Sequence, residues 1–187
     1  MRLQAITPAL ALVVLASCGA HGNTNHSAGA STMDNAALTR LALTSDAFKD
    51  GQPIPAIYSC DGANHSPAIH WSDPPAGTKS FALVIDDPDA PRGTFRHWGV
   101  YDIPASARGI AAGQHIGTAV NNDGGKPGYT GPCPPKGNGV HHYHFKLFAL
   151  SVDRLGLNPS SKVADVEDAA AAHAIAQGEL IGTYERN

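Results

Sequence analysis

Ser80-Phe81-Ala82-Leu83-Val84-Ile85-Asp86 carries five consecutive apolar side chains and runs without a break into Asp87-Pro88-Asp89-Ala90-Pro91. A continuous apolar run of strand length, closed by a proline-rich turn, is the pattern of a strand buried on both faces or nearly so. Downstream, Phe95 to Ile103 (FRHWGVYDI) is a second strand, rich in aromatic and β-branched residues. Val140 to Leu150 (VHHYHFKLFAL) is a third. Upstream, Leu38 to Phe48 reads as an opening strand and Lys49 to Pro55 as a turn. Ile57 to Cys60 reads as a short extended piece. Ile69-His70-Trp71 is a short strand, closed by Asp73-Pro74-Pro75-Ala76-Gly77. Gly109 to Gly139 is loop-rich in Gly, Pro and Asn. The connections lack the long helical patterns that repeated βαβ units require. One helix is expected, over Val163 to Ala176, where Val163, Val166, Ala170 and Ala174 recur at three to four residues. Asp165 and Glu167 suit its first turn, and Gly178 is its expected stop. Glu179 to Tyr184 is then a last strand or an extended tail. The fold class is mainly β: a mostly antiparallel domain over 38–187 with a C-terminal helix packed on it.

Before this domain, Ala5 to Leu15 is a short, mostly apolar run behind the positive Arg2. It falls short of the roughly 20 residues of a membrane-spanning helix and has the shape of a secretory signal. Leu15-Ala16-Ser17-Cys18 resembles the lipobox of bacterial lipoproteins. Residues 1–17 are therefore expected to be a lipoprotein signal peptide, with lipid added at Cys18. An ordinary secreted protein cut nearby is the competing reading. Residues 18–37, rich in Gly, Ala, Ser and Asn, read as a flexible tether. Its His21 and His26 are incidental rather than metal ligands.

The chain has 13 Lys+Arg against 16 Asp+Glu, with formal charge −3. No basic patch is interleaved with aromatics, which speaks against nucleic-acid binding. Attachment to a membrane is expected through Cys18, not through surface charge. Beyond Cys18, Cys60 and Cys133 form an even pair in an oxidising compartment, so a disulfide between them is open. Neither sits in a Cys-x-x-Cys pair, and no metal or other cofactor is expected.

Four groups of residues carry chemistry. Asp87 and Asp89 follow the buried strand with Pro88 between them. In extended backbone, residues two apart point the same way, so both carboxylates can line one cleft. The plainer reading is a solvated turn that ends a strand. Asp86 should face the other way. His97-Trp98 opens the second strong strand, where a histidine is often a satisfied core residue and Trp98 packs. On the third strand, alternation puts His141, Tyr143 and Phe145 on one face and His142 and His144 on the other. Neutral His and Tyr donate hydrogen bonds, and protonated His binds anions. Gly131-Pro132-Cys133-Pro134-Pro135-Lys136-Gly137 is a rigid loop suited to one wall of a pocket. Carboxylates disfavour a fully ionised phosphate, so histidines or backbone amides must supply the donors. A metal-assisted or acid–base hydrolase is the other chemical reading. It has neither a Gly-x-Ser-x-Gly elbow nor a His-Glu-x-x-His motif in its support.

Together these pieces resemble the phosphatidylethanolamine-binding protein family, in its bacterial, Raf kinase inhibitor-like branch. The resemblance is carried by Cys60-Asp61-Gly62-Ala63-Asn64-His65-Ser66-Pro67, Trp71, Pro75-Ala76-Gly77-Thr78-Lys79-Ser80 and Asp87-Pro88-Asp89-Ala90-Pro91. It continues through His97-Trp98, Asp102-Ile103-Pro104, Asn121-Asn122-Asp123-Gly124, Gly128-Tyr129-Thr130-Gly131-Pro132 and Pro134-Pro135. It ends with Gly139, His141-His142-Tyr143 and Gly182-Thr183-Tyr184. It implies a central antiparallel sheet flanked by a smaller one. It also implies a shallow pocket for phosphate-like anions and phospholipid headgroups, made by Asp87, Asp89, His97, Pro135, His141 and Tyr143, with Gly131 and Pro132 shaping its wall. One departure is His142, where the family commonly has Arg. Alternation turns that position away from His141 and Tyr143, so packing or pairing is affected rather than ligand contact.

The resulting expectation is a non-enzymatic, lipid-anchored protein of the bacterial envelope, periplasmic or at the surface, that binds a small anion or phospholipid headgroup. The alternatives are a protein–protein modulator in the envelope and a hydrolase using Asp87, His97 and His141. Kinase inhibition is not expected from the resemblance.

Overall fold

The computed structural model describes residues 38–158 and 160–187. The expected signal peptide, the lipidation site Cys18 and the tether up to residue 37 lie outside the described residues.

The apolar run becomes a strand, β5 (Ser80–Asp87), buried at every position. Its side chains alternate between two cores. Phe81, Leu83 and Ile85 enter one, while Ala82 and Val84 enter the other. Burial on both faces requires a cover on each side of the sheet, and the fold provides two different covers. On the first side lies a small sheet of β2 (Leu43–Ser45), β4 (Ile69–Trp71) and β7 (Gly109–Ile110). It contributes Leu43, Ile69, Trp71 and Ile110. On the second lies α1 (Val163–His173), which contributes Val163, Val166 and Ala170. Gly99 lets the helix approach closely: a Cβ there would lie 3.0 Å from Val163 and Val120.

The large sheet runs β1–β10–β9–β5–β6–β8, with β3 also paired to β10. Its members are β1 (Thr39–Arg40), β3 (Gln52–Pro53), β6 (Phe95–Pro104), β8 (Thr118–Ala119), β9 (His141–Leu150) and β10 (Ala174–Tyr184). The long central strands pair antiparallel, whereas β1 and β3 join β10 in parallel. The architecture is the mainly β one expected: a central sheet, a smaller flanking sheet and a C-terminal helix.

Four local expectations are corrected. The opening strand is two strands. Thr39–Arg40 joins the large sheet and Leu43–Ser45 the small one, with Leu41 buried between them. The piece at Ile57–Cys60 is instead a 3-10 turn at Ala56–Tyr58, closed by the Ser59 N–H and hydroxyl, both donating to the Ala56 carbonyl. The turn at Lys49–Pro55 also contains β3. The helix ends at His173, not Ala176, and Gly178 lies inside β10 rather than stopping the helix. Ala174 to Ala176 has good helix propensity, but pairing with β9 from Leu150 outward overrides it. Asp86 does face away from Asp87. It accepts a hydrogen bond from Lys146 at 2.7 Å, and Lys146 also donates to Glu167 at 2.9 Å, tying the sheet to α1.

Candidate functional site

One end of the central strands gathers the polar residues. β5 ends at Asp87, β6 begins at Phe95, and β9 begins at His141. A cavity of about 250 Å³ opens there. Its walls include Asp87, His97 and His141, the rim loop carrying Arg92, and the loop Thr130 to Pro135.

Asp87 and His141 form a buried pair, 3 % and 1 % exposed. The His141 Nδ1–H donates to Asp87 Oδ2 at 2.7 Å. At the far side of the ring the Asn138 amide donates to Nε2 at 3.0 Å. The other oxygen, Asp87 Oδ1, accepts the Asp89 N–H at 2.9 Å. Pro88 has no N–H, so Asp89 supplies the first donor available to cap this turn.

That turn separates the two carboxylates. Asp89 does not line the cavity. It accepts both the backbone N–H of His142 at 2.8 Å and its ring Nδ1–H at 2.7 Å. These bonds from His142 hold the exposed Asp89 carboxyl below the usual aspartate range. His142 thus sits on the outer face, away from His141 and Tyr143, and pairs with the second aspartate.

His97 is 5 % exposed and lines the cavity. Its Nδ1–H donates to the Thr130 carbonyl at 2.8 Å. The rings of Phe95 and Tyr143 stand edge-on to it, with centroids 4.7 and 5.2 Å away. Burial pushes its pKa below the ordinary value; the Thr130 bond and the charges of Asp87, Asp86 and Asp123 oppose this in part. Its Nε2 is buried and has no hydrogen-bond partner. The Tyr143 hydroxyl also lacks a partner in hydrogen-bond geometry, although the Asp87 carboxylate and the Cys133 backbone lie near it. Burial and then the nearby Asp87 charge push this phenol far above its ordinary range, so it stays protonated and keeps a donor to offer. Buried polar atoms are normally satisfied, and two orphans behind one cavity mark a place where a polar ligand completes the bonding. Trp98, as expected, packs in the core.

The wall loop is pinned from behind. Gly131, Cys133, Pro134 and Pro135 face the cavity, while Pro132 is buried behind it and accepts the Cys60 N–H at 3.0 Å. Cys60 and Cys133 are joined in a disulfide, with Cα atoms 5.4 Å apart. The Gly131 N–H donates to Asn64 Oδ1 at 2.7 Å, and the Tyr129 hydroxyl to the Tyr58 carbonyl at 2.7 Å. No side chain fits at 131, because a Cβ would lie 2.2 Å from the Tyr58 carbonyl oxygen. Lys136 is exposed and stands outside the lining.

The structure therefore brings together Asp87, His97, His141, Gly131 and Pro135 at the cavity surface. Tyr143 and Pro132 lie immediately behind, and Asp89 lies outside. Sequence reasoning missed Arg92, Phe95, Thr130 and Asn138. Arg92 supplies a cation, and its place four residues after Pro88 in the rim turn was its only signal. Among the described residues, no group of three His, Cys, Asp or Glu side chains is placed to hold a metal ion.

Comparison with known proteins gives this geometry a context. The family model described as phosphatidylethanolamine-binding protein matches residues 44–185. A UPF0098 protein of Aquifex aeolicus is 48% identical over 153 residues, covering 79% of this chain and 90% of that protein. A Mycobacterium tuberculosis protein described as lipoprotein LppC is 42% identical over 196 residues, covering 98% of this chain and 96% of that one. Among solved structures, a phosphatidylethanolamine-binding protein homolog from Chlamydia trachomatis superposes with a TM-score of 0.73 at 37% identity, over 80% of this chain and 99% of that one. YbcL of E. coli does so with a TM-score of 0.74 at 34% identity, over 79% and 99%. With the model matching nearly the whole described domain, the chain belongs to the phosphatidylethanolamine-binding protein family.

Proposed function

We propose that the cavity binds a small phosphate-like anion, of the kind a phospholipid headgroup presents, without catalysing a reaction. The observation that carries this reading is the pair of buried, unpartnered polar atoms, His97 Nε2 and Tyr143 Oη, behind a cavity that also offers Arg92. A phosphoryl group has oxygens on several sides and can meet a ring nitrogen, a phenol and a guanidinium at once. The apolar contacts of Ala90, Pro91, Phe95 and Pro134 suit the carbon atoms next to such a group.

We further propose that the chain works in the bacterial envelope, anchored by lipid at Cys18, as a member of the Raf kinase inhibitor-like branch. The supports are the lipobox-like Leu15-Ala16-Ser17-Cys18 and the lipoprotein description of a relative aligned over 98% of this chain. Cys18→Ala should move the protein from the membrane fraction to the soluble fraction; unchanged membrane association would remove the anchor.

The binding test is an NMR titration of the full chain, kept in solution with non-ionic detergent, against phosphorylethanolamine and inorganic phosphate. Saturable shifts at Asp87, His97 and Tyr143 that vanish in His141→Ala are expected. No response from the folded wild type to either compound would refute the reading.

A further inference from the structure

The Thr130 carbonyl can only accept a hydrogen bond, so His97 Nδ1 must carry a proton. A neutral imidazole has one ring proton, and here it is already committed. What His97 turns to its unpartnered side is therefore a lone pair on Nε2. A lone pair repels the oxygen of a fully ionised phosphate. We infer that the cavity binds its anion together with one proton, held between His97 Nε2 and a phosphoryl oxygen, and that it therefore selects phosphomonoesters over phosphodiesters. This rests on the anion-binding reading above and specifies its ligand class.

The surroundings of His97 fix where that proton comes from. Its own strand contributes Phe95, and β9 contributes the Tyr143 phenol and, at the cavity wall, His141. Asp86 and Asp87 act on it from the end of β5 and Asp123 from the loop after β8, while Arg92 lines the same cavity. Burial outweighs the three carboxylates and lowers the imidazole's pKa, which favours the neutral ring. A phosphomonoester loses its second proton near pH ~6, so its monoanion can bring a P–OH that donates to Nε2. At higher pH the dianion binds only by drawing one proton from solvent. A diester has no P–OH to give. It must have His97 protonated from solvent, against the effect of burial, at every pH where the ring is neutral. The Asp87 oxygens are already engaged, one accepting from His141 and the other from Asp89.

The experiment is isothermal titration calorimetry on the full chain in non-ionic detergent, with methyl phosphate and dimethyl phosphate. Each titration is run in two buffers of different ionisation enthalpy, which counts protons taken up. Near pH 8, methyl phosphate should bind with uptake of about one proton, falling towards zero near pH 5, as the second phosphate pKa of ~6 requires. Above pH ~7 its affinity should fall about tenfold per pH unit. Near pH 5 both ligands are monoanions, and dimethyl phosphate should bind at least about tenfold more weakly, the loss of one charge-assisted hydrogen bond. In His97→Gln an amide N–H can stand where Nε2 stood, so uptake should disappear and the pH slope flatten. Short-chain phosphatidate distinguishes the sources of the monoester: affinity above that of methyl phosphate, with the same uptake, points to a lipid headgroup, and equal affinity to a soluble ester. Binding to the wild type near pH 8 without proton uptake overturns the inference while leaving the anion site standing. So does unchanged uptake in a folded His97→Gln. If that variant does not fold, the wild-type pH series decides alone. No binding of either ligand at any pH overturns the anion site itself.

Discussion

Replacing Cys60 and Cys133 together by serine should cost much stability and little affinity. The two cysteines are 73 residues apart in sequence. Releasing a loop of that length returns chain entropy worth about 4.4 kcal/mol at 25 °C to the unfolded state. At about 2–4 °C per kcal/mol for a domain of this size, the melting temperature should fall by roughly 9–18 °C. Both cysteines are exposed, so serine hydroxyls meet water and bring no burial penalty. In the native state the wall loop keeps its other ties: Gly131 to Asn64, Cys60 N–H to Pro132 and Tyr129 to Tyr58. The cavity should therefore keep its shape, and affinity for inorganic phosphate should change less than about threefold, within about 0.7 kcal/mol. Scanning calorimetry and a phosphate titration on the same samples test both halves. A fall of less than about 3 °C, or ~1 kcal/mol, would refute the unfolded-state argument. A collapse of affinity in a well-folded double variant would show that the disulfide shapes the native wall.

Three further outcomes follow from the polar contacts. In Asp87→Asn, one amide orientation turns NH₂ towards the His141 donor and the other turns it towards the Asp89 donor. A buried donor clash results either way, and urea denaturation should show a loss of about 3 kcal/mol with phosphate binding abolished; near-wild-type stability would argue against the two donors converging on this side chain. Lys146→Met strands the Asp86 carboxylate and leaves Glu167 with Arg96 alone, and stability at neutral pH should fall by about 2–4 kcal/mol, below the fully buried limit because Lys146 is 22% exposed. Burial raises the Glu167 pKa, but Lys146 and Arg96 outweigh it and hold the group below its ordinary 4.5. A depressed carboxyl contributes stability that is present above 4.5 and lost as pH falls through its folded value. The acid loss below that pH should shrink in Lys146→Met, and an identical acid limb in both proteins would contradict the pairing. Gly131→Ala must move the wall away from Tyr58, so calorimetry should show at least about 1–3 kcal/mol of destabilisation with weaker phosphate binding; an unaffected variant would mean that the wall is not under this constraint.

Much of the fold was legible because its centre is regular. The five-residue apolar run in β5 has one physical solution, burial on both faces, and that alone demands a layer on each side. Where the reading failed, tertiary pairing decided. Ala174 to Ala176 favours helix by local propensity, and its strand state is set by β9, far away in sequence. The break between Thr39–Arg40 and Leu43–Ser45 is similar. Leu41 and Leu43 are apolar in either reading, and only the presence of two sheets makes the chain change partner between them.

At the site, periodicity worked where backbone is extended and failed where it turns. His141 and Tyr143 share a face because β9 is paired residue by residue with β10 from Ala176 to Tyr184. Asp87 and Asp89 do not, because the Asp89 N–H bends back to its neighbour's carboxylate and sends the second aspartate to His142. Thr130 is a different case. Its contribution is a carbonyl oxygen, which almost any residue at 130 would offer, so no side-chain pattern can announce it. Yet that oxygen fixes which nitrogen of His97 carries the proton. A histidine in sequence is a donor or an acceptor; this one offers a lone pair on Nε2 only because a loop places a carbonyl against Nδ1. The ligand's proton requirement is thus set by backbone position, while the residues that a motif reveals supply the shape around it.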